Sequence, residues 1–241
     1  MKAVILAGGL GTRISEETSD KPKPMVPIGA RPILWHIIQI YALQGITEFI
    51  IAGGYKHEVI SNWINESYSS KESWISGLSI EVKDTGDASL TGMRIAKCIE
   101  DLNDETFFCT YGDGVANVNL QKLLQFHIDH GKCSTVTVVH PPARFGHVSL
   151  SGDSVTSFDE KNQADEGWIN GGFFVLNSEV KEFIHRNNEA FERGALPRLA
   201  AASQLMAYKH NGFWRPMDTL RDRDELTQIV DLNQTIPWHN F

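Results

Sequence analysis

Apolar residues gather in short runs bounded by turn residues through the first half of the chain. Lys2 to Leu6, Phe49 to Ala52, Thr106 to Tyr111 and Ser134 to Val139 each read as a buried strand, and glycines follow closely on the first three. Between them, Ile33 to Leu43 carries apolar residues at helical spacing (Ile33, Ile37, Ile40, Tyr41), and Val59 to Ile64 and Leu120 to Ile128 do likewise. Strands alternating with helices predict an α/β fold, a Rossmann-like, mostly parallel sheet covered by helices. From about Arg144 the segments shorten. His147 to Leu150, Ser154 to Phe158, Gly171 to Leu176 and Leu205 to Lys209 are separated by turns, which predicts small antiparallel additions in the C-terminal half.

Composition narrows the classes. Hydrophobic residues at 41% and charged residues at 22% are ordinary for a globular chain of 241 residues, and no repeat, low-complexity tract or linker interrupts it. A net charge of −8 argues against a surface that coats nucleic acid. The three cysteines, Cys98, Cys109 and Cys133, lack metal-ligand spacing and are expected as buried or partly buried free thiols. No targeting peptide and no apolar run of membrane-spanning length is seen, so a cytoplasmic protein with no membrane partner is expected.

The candidate chemistry begins where the first strand ends. Leu6-Ala7-Gly8-Gly9-Leu10-Gly11-Thr12-Arg13 is a glycine loop closed by an arginine. Glycines let backbone N–H groups approach an anion closely, and a cation adds charge against phosphate. The loop fits neither common template. Gly11 is followed by Thr12-Arg13 where a Walker loop needs Lys-Ser/Thr, and the third glycine of a dinucleotide fingerprint would fall on Ile14. In Lys21-Pro22-Lys23-Pro24 the prolines hold an extended segment, so Lys23 is available to fold back onto phosphates. Gly112-Asp113-Gly114 puts a carboxylate at a strand end, where a hard cation such as Mg²⁺ could bridge it to phosphate. Asp218 is a second carboxylate candidate, with helix N-capping as its competing role. Glu160-Lys161 and Asn170-Gly171 flank strands; taken singly, they are ordinary turn residues.

Together these marks resemble the sugar-1-phosphate nucleotidylyltransferases along the whole chain. The resemblance rests on the glycine loop, Lys21-Pro22-Lys23-Pro24-Met25, Tyr111-Gly112-Asp113-Gly114-Val115, Glu160-Lys161 and Asn170-Gly171-Gly172-Phe173-Phe174-Val175. Within that group it is most similar to the glucose-1-phosphate cytidylyltransferases, through Asp84-Thr85-Gly86, Thr91-Gly92-Met93-Arg94 and Phe213-Trp214-Arg215-Pro216-Met217-Asp218. The resemblance implies a nucleotide-binding half over about 1–143 and a sugar-phosphate-binding half over about 144–241. It implies that Leu6, Ala7, Gly8, Gly9, Gly11, Thr12, Arg13, Lys23, Ser89, Arg94 and Gly112 bind the nucleotide, with Asp113 and Asp218 on Mg²⁺. Glu160, Lys161, Asn170 and Gly171 would take the sugar phosphate, and Arg13, Lys23 and Lys161 would be catalytic. CTP and a sugar 1-phosphate are the implied partners, in a homo-oligomer. The same reaction with UTP or dTTP, or with another hexose or heptose 1-phosphate, and a nucleotide-sensing subunit without turnover are the alternatives.

Overall fold

A computed structural model describes the chain except residues 101, 103, 104, 142–146, 160–166, 186, 233 and 234; for 147–150 and 158–159 it describes the backbone. The chain opens with β1 (Lys2–Leu6), the short α1 (Ser15–Thr18), the small β2 (Pro27–Ile28) and β3 (Arg31–Pro32) hairpin, and α2 (Ile33–Ala42). Then come β4 (Glu48–Gly53), α3 (His57–Ser69), β5 (Ser79–Asp84), α4 (Thr91–Cys98), β6 (Thr106–Tyr111), β7 (Gly114–Ala116) and α5 (Leu120–His130). Next are β8 (Ser134–Val139), β9 (His147–Ser151), β10 (Ser154–Asp159), β11 (Ile169–Asn170) and β12 (Phe174–Asn177). The chain finishes with α6 (Ala195–Ala201), β13 (Leu205–Lys209), β14 (Trp214–Pro216) and α7 (Leu220–Leu232).

The main sheet runs β11-β8-β12-β6-β1-β4-β5, with β13 also paired to β8. Strands β6, β1, β4 and β5 are mutually parallel, as the alternating pattern predicts. Strand β12 enters antiparallel between β6 and β8, and β11 pairs antiparallel with the far end of β8. The run expected as one strand over Gly171 to Leu176 is therefore broken. Register against β8 slips by two residues between Asn170 and Val175, because Gly171, Gly172 and Phe173 bulge out of the ladder. Strand β13 is parallel to β8 rather than antiparallel; helix α6 precedes it and provides the crossover that a parallel partner requires.

Alternation along the strands sorts the core into two layers. Ala3, Ile5, Phe49, Ile51 and Phe108 face α2, α3 and α5, while Val4, Leu6, Ile50, Phe107 and Cys109 face α4 and α6. All three cysteines are buried free thiols, as expected, and burial pushes the Cys98 and Cys133 thiols up to about 12 and about 11. The edge strand β5 escapes the apolar pattern because Ser79, Glu81, Lys83 and Asp84 leave it half-exposed. Strand order reverses about β1: β4 and β5 lie to one side and β6 to the other. Ligands of open α/β sheets bind at the carboxyl ends of strands beside such a switch.

Helix α2 is buried nearly all round and carries His36 inside. The ring accepts from Trp238 Nε1 (3.3 Å) at Nδ1, so Nε2–H donates to the Ile28 carbonyl (3.1 Å). Burial pushes its pKa down to about 4. Burial also lowers His127, His130, His210 and His239, in the same direction. Below pH 6.5 the unfolded chain takes up protons that the folded chain refuses, so stability must fall as pH drops from 6.5 towards 4. Denaturation midpoints measured across that range should show this slope, and His36→Gln should flatten the largest single share of it.

Candidate active site

The glycine loop leaves β1 at Leu6 and turns at Gly11, whose φ of +63° favours glycine. A 3-10 turn over Thr12–Ile14 follows and points Arg13 outward. Among the described residues, the backbone amides from Gly8 to Arg13 find no hydrogen-bond acceptor. A row of unpaired N–H groups on a tight turn is an anion cradle.

Arg94 holds that cradle from behind. It is 3% exposed, and its guanidinium donates to the carbonyls of Gly8 (2.8 Å), Gly53 (2.9 Å) and Asp87 (3.3 Å) and to Thr85 Oγ1 (2.5 Å). A Cβ on Gly8 would run into this guanidinium. In a trans peptide the C=O and the following N–H point opposite ways, so holding the Gly8 carbonyl aims the Gly9 amide away from Arg94, into the open side. The resemblance assigns Arg94 to the nucleotide. Arg94 lines the cavity, and both its terminal nitrogens are engaged by protein acceptors, so it also supports the loop.

The charged centre forms around Lys23. Its Nζ donates to Asp113 Oδ2 (2.6 Å) and to Asp218 Oδ1 (2.9 Å), while Arg13 pairs with Asp218 Oδ2 (2.9 Å). Burial disfavours the Lys23 ammonium, but Asp113 and then Asp218 outweigh it and hold its pKa above the ordinary value. Burial likewise disfavours the Asp218 carboxylate, yet Lys23 and then Arg13 hold it below the ordinary range. Two carboxylates from distant parts of the chain thus aim at one positive centre.

A small ladder makes them meet. Strand β14 pairs antiparallel with β7, and Met217 N–H donates to the Asp113 carbonyl (2.8 Å), which brings Asp218 beside Asp113. The competing N-cap role for Asp218 does not arise, because Thr219 takes it. Asp222 N–H donates to Thr219 Oγ1 (3.2 Å), and Thr219 N–H donates back to Asp222 Oδ2 (2.8 Å), a reciprocal capping box at the start of α7. Asp218 keeps both oxygens for the cations.

A cavity of about 230 Å³ opens beside this centre. Leu6, Ala7, Gly8, Gly9, Lys23, Ser89, Arg94, Gly112 and Asp113 line it, joined by Leu90 and by Pro24, Thr91 and Tyr111, which belong to the motifs above but carried no site role there. Gly11, Thr12 and Arg13 lie outside its lining, on the loop's outer turn. Ser89 Oγ donates to the Thr85 carbonyl (2.5 Å) and accepts from Lys97 (3.3 Å). On the other side, Asn170 Nδ2 donates to Tyr111 Oη (3.0 Å), and the Gly171 carbonyl accepts from Trp214 Nε1 (2.8 Å). Glu160 and Lys161 lie outside the described residues.

Comparison with known proteins fits this geometry. The nucleotidyl transferase family profile matches residues 2–222. The chain belongs to that family. It is 44% identical to glucose-1-phosphate cytidylyltransferase of Salmonella typhi over 261 aligned positions, covering 100% of both chains. It is 33% identical to mannose-1-phosphate guanylyltransferase 1 of Arabidopsis thaliana, covering 95% of this chain and 64% of that protein. Its fold matches the crystal structure of HddC from Yersinia pseudotuberculosis with a TM-score of 0.70, at 24% identity, covering 94% of this chain and 98% of that one. The protein is an enzyme of sugar nucleotide synthesis, transferring a nucleotidyl group to a sugar 1-phosphate. No helix among the described residues is long and apolar enough to cross a membrane.

Proposed function

We propose that the enzyme transfers the cytidylyl group of CTP to α-D-glucose 1-phosphate, releasing pyrophosphate. The observation that carries nucleotidyl transfer is the meeting of unpaired loop amides, Arg13, Lys23, Asp113 and Asp218 at the carboxyl ends of β1 and β6. Support for this pairing of nucleotide and sugar is the identity over full length to a glucose-1-phosphate cytidylyltransferase.

A phosphate oxygen of the sugar attacks the α-phosphorus of CTP in line. The new P–O bond forms as the bond to the β-phosphate bridging oxygen breaks, and that oxygen carries the electron pair away on pyrophosphate. The attacking phosphate has a second pKa near ~6 and is largely ionised at neutral pH, so no general base is needed. The protein must instead bring two anions together and neutralise them. The loop amides and Arg13 receive the leaving charge, Lys23 steadies the phosphates, and Lys161 is proposed to align the sugar phosphate.

Asp113 and Asp218 suit Mg²⁺. Among the described residues no cluster of three or more ligating side chains forms, and a carboxylate pair that leaves the remaining positions to phosphate and water is what this cation prefers. Bound there, the ion would neutralise phosphate charge. Lys23 now lies between the same carboxylates, so Lys23→Met should raise the affinity of the nucleotide-free protein for Mn²⁺ by roughly ten- to hundredfold, since a competing charge within contact distance is removed. An electron paramagnetic resonance titration measures this without turnover.

Pyrophosphate release over CTP, UTP, dTTP and GTP, each crossed with glucose, mannose and heptose 1-phosphates, tests the assignment. CTP with glucose 1-phosphate should give the highest kcat/KM. A higher value for another pairing replaces the substrates and keeps the reaction class. Binding of CTP with no release over every sugar phosphate overturns the proposal.

A further inference from the structure

One carboxylate near the cavity has no part in the chemistry above. Glu192 lies in the segment before α6, and both its oxygens are engaged by hydroxyls. Thr91, the first residue of α4, donates from Oγ1 to Glu192 Oε2 (2.6 Å), and Tyr111, the last residue of β6, donates from Oη to Glu192 Oε1 (2.7 Å). Both hydroxyls belong to residues that line the cavity.

These bonds have a direction. A carboxylate accepting from two hydroxyls fixes both protons towards itself. Thr91 Oγ1 is then left to accept, which it does from Phe191 N–H (2.8 Å). Tyr111 Oη is likewise left to accept, which it does from Asn170 Nδ2 (3.0 Å). The Asn170 amide is pinned at its other end too, where Oδ1 accepts from Gly172 N–H (2.9 Å). Among the described residues, one N–H and one lone pair of the Asn170 amide remain unspent. Burial, and then the Glu192 charge, hold the Tyr111 phenol well above its usual pKa, so it stays a donor to the carboxylate.

We infer that Glu192 is a positioning residue: through Tyr111 it fixes which face of the Asn170 amide meets the sugar, and through Thr91 it ties that choice to the nucleotide side of the cavity. The unspent N–H of Asn170 then selects a hexose 1-phosphate whose ring hydroxyl oxygen can accept it. The sugar-side part of this inference rests on the proposed function, in which Asn170 faces the sugar. The relay itself does not depend on it.

Two measurements test the inference. The first is independent of turnover. In the unmodified enzyme the Asn170 side-chain amide proton bonded to Tyr111 should exchange with water more slowly than the unspent one in ¹H–¹⁵N spectra, and in Glu192→Gln and Tyr111→Phe that difference should shrink. Unchanged protection in both variants overturns the relay. The second is a double-mutant cycle between Glu192→Gln and Asn170→Ala. Each single change should raise KM for the sugar 1-phosphate about tenfold, the size of one hydrogen bond, and leave KM for the nucleotide within about twofold. The double variant should be no worse than Asn170→Ala alone. Multiplying effects, or an equal rise in both KM values, would mean that Glu192 acts only by holding α4 in place. Tyr111→Phe leaves the Thr91–Glu192 contact intact and should reproduce the rise in sugar KM even if Glu192→Gln folds poorly. If the unmodified enzyme releases no pyrophosphate with any sugar phosphate, the functional reading fails while the exchange measurement still decides the relay.

Discussion

Arg13→Ala should lower kcat/KM for pyrophosphate release by about 10²–10³-fold, the loss expected when a preorganised donor to developing charge is removed. The same change should move the unfolding midpoint by no more than about 4 °C, because an exposed ion pair contributes ~0–1 kcal/mol. The structure separates the two effects. The Arg13 side chain is 74% exposed, and among the described residues its side chain is held by an ion pair with Asp218. It stands on the turn that ends the row of unpaired amides, where leaving phosphates would gather. Arg13→Lys keeps the charge and loses the fork, so it should recover part of the rate. A fall in kcat below about threefold at saturating substrates would remove Arg13 from the reaction.

Much of this site was legible in the sequence because its parts sit in short, local motifs. The loop from Gly8 to Arg13, the Gly112-Asp113-Gly114 turn and Lys23 between prolines each carry their chemistry within a few residues, and all converge at the ends of β1 and β6. The inner strands were equally readable, since burial on both faces gives β1, β4 and β6 unbroken apolar runs. Other features depend on partners far away in sequence. Strands β7 and β14 are three residues each, too short for a periodicity to mark them, yet their pairing is what seats Asp218 beside Asp113. Thr219 and Asp222 form a recognisable capping pair, and weighing that spacing would have freed Asp218 from the N-cap role. Glu192 had no local signal at all. Its role comes from two hydroxyls on separate elements.

Arg94→Met should cost about 3–5 kcal/mol of stability, the scale for orphaning several buried acceptors, and so lower the unfolding midpoint by roughly 10 °C. The arginine buries its charge and spends it on four protein acceptors, which is tolerable only while each bond is made. Methionine fills much of the volume and returns none of the bonds, leaving the Gly8 and Asp87 carbonyls facing an apolar chain. Thr85 softens the loss at Gly53, because both its N–H and its hydroxyl already donate to that carbonyl. Arg94→Lys should recover only part of the stability, since one ammonium cannot span the Gly8 and Gly53 carbonyls as a planar fork does. Function should fall with the fold. Once the Gly8 peptide is free to rotate, the Gly9 amide no longer has a fixed aim, and the affinity for nucleoside triphosphate should drop by about tenfold or more even at temperatures where the variant stays folded. Calorimetric titration at 15 °C, paired with a melting curve, distinguishes the outcomes. A stable Arg94→Met variant with weakened nucleotide binding would mean that the guanidinium serves the ligand directly. An unstable variant that binds as tightly as the parent would mean that the loop holds its shape without it.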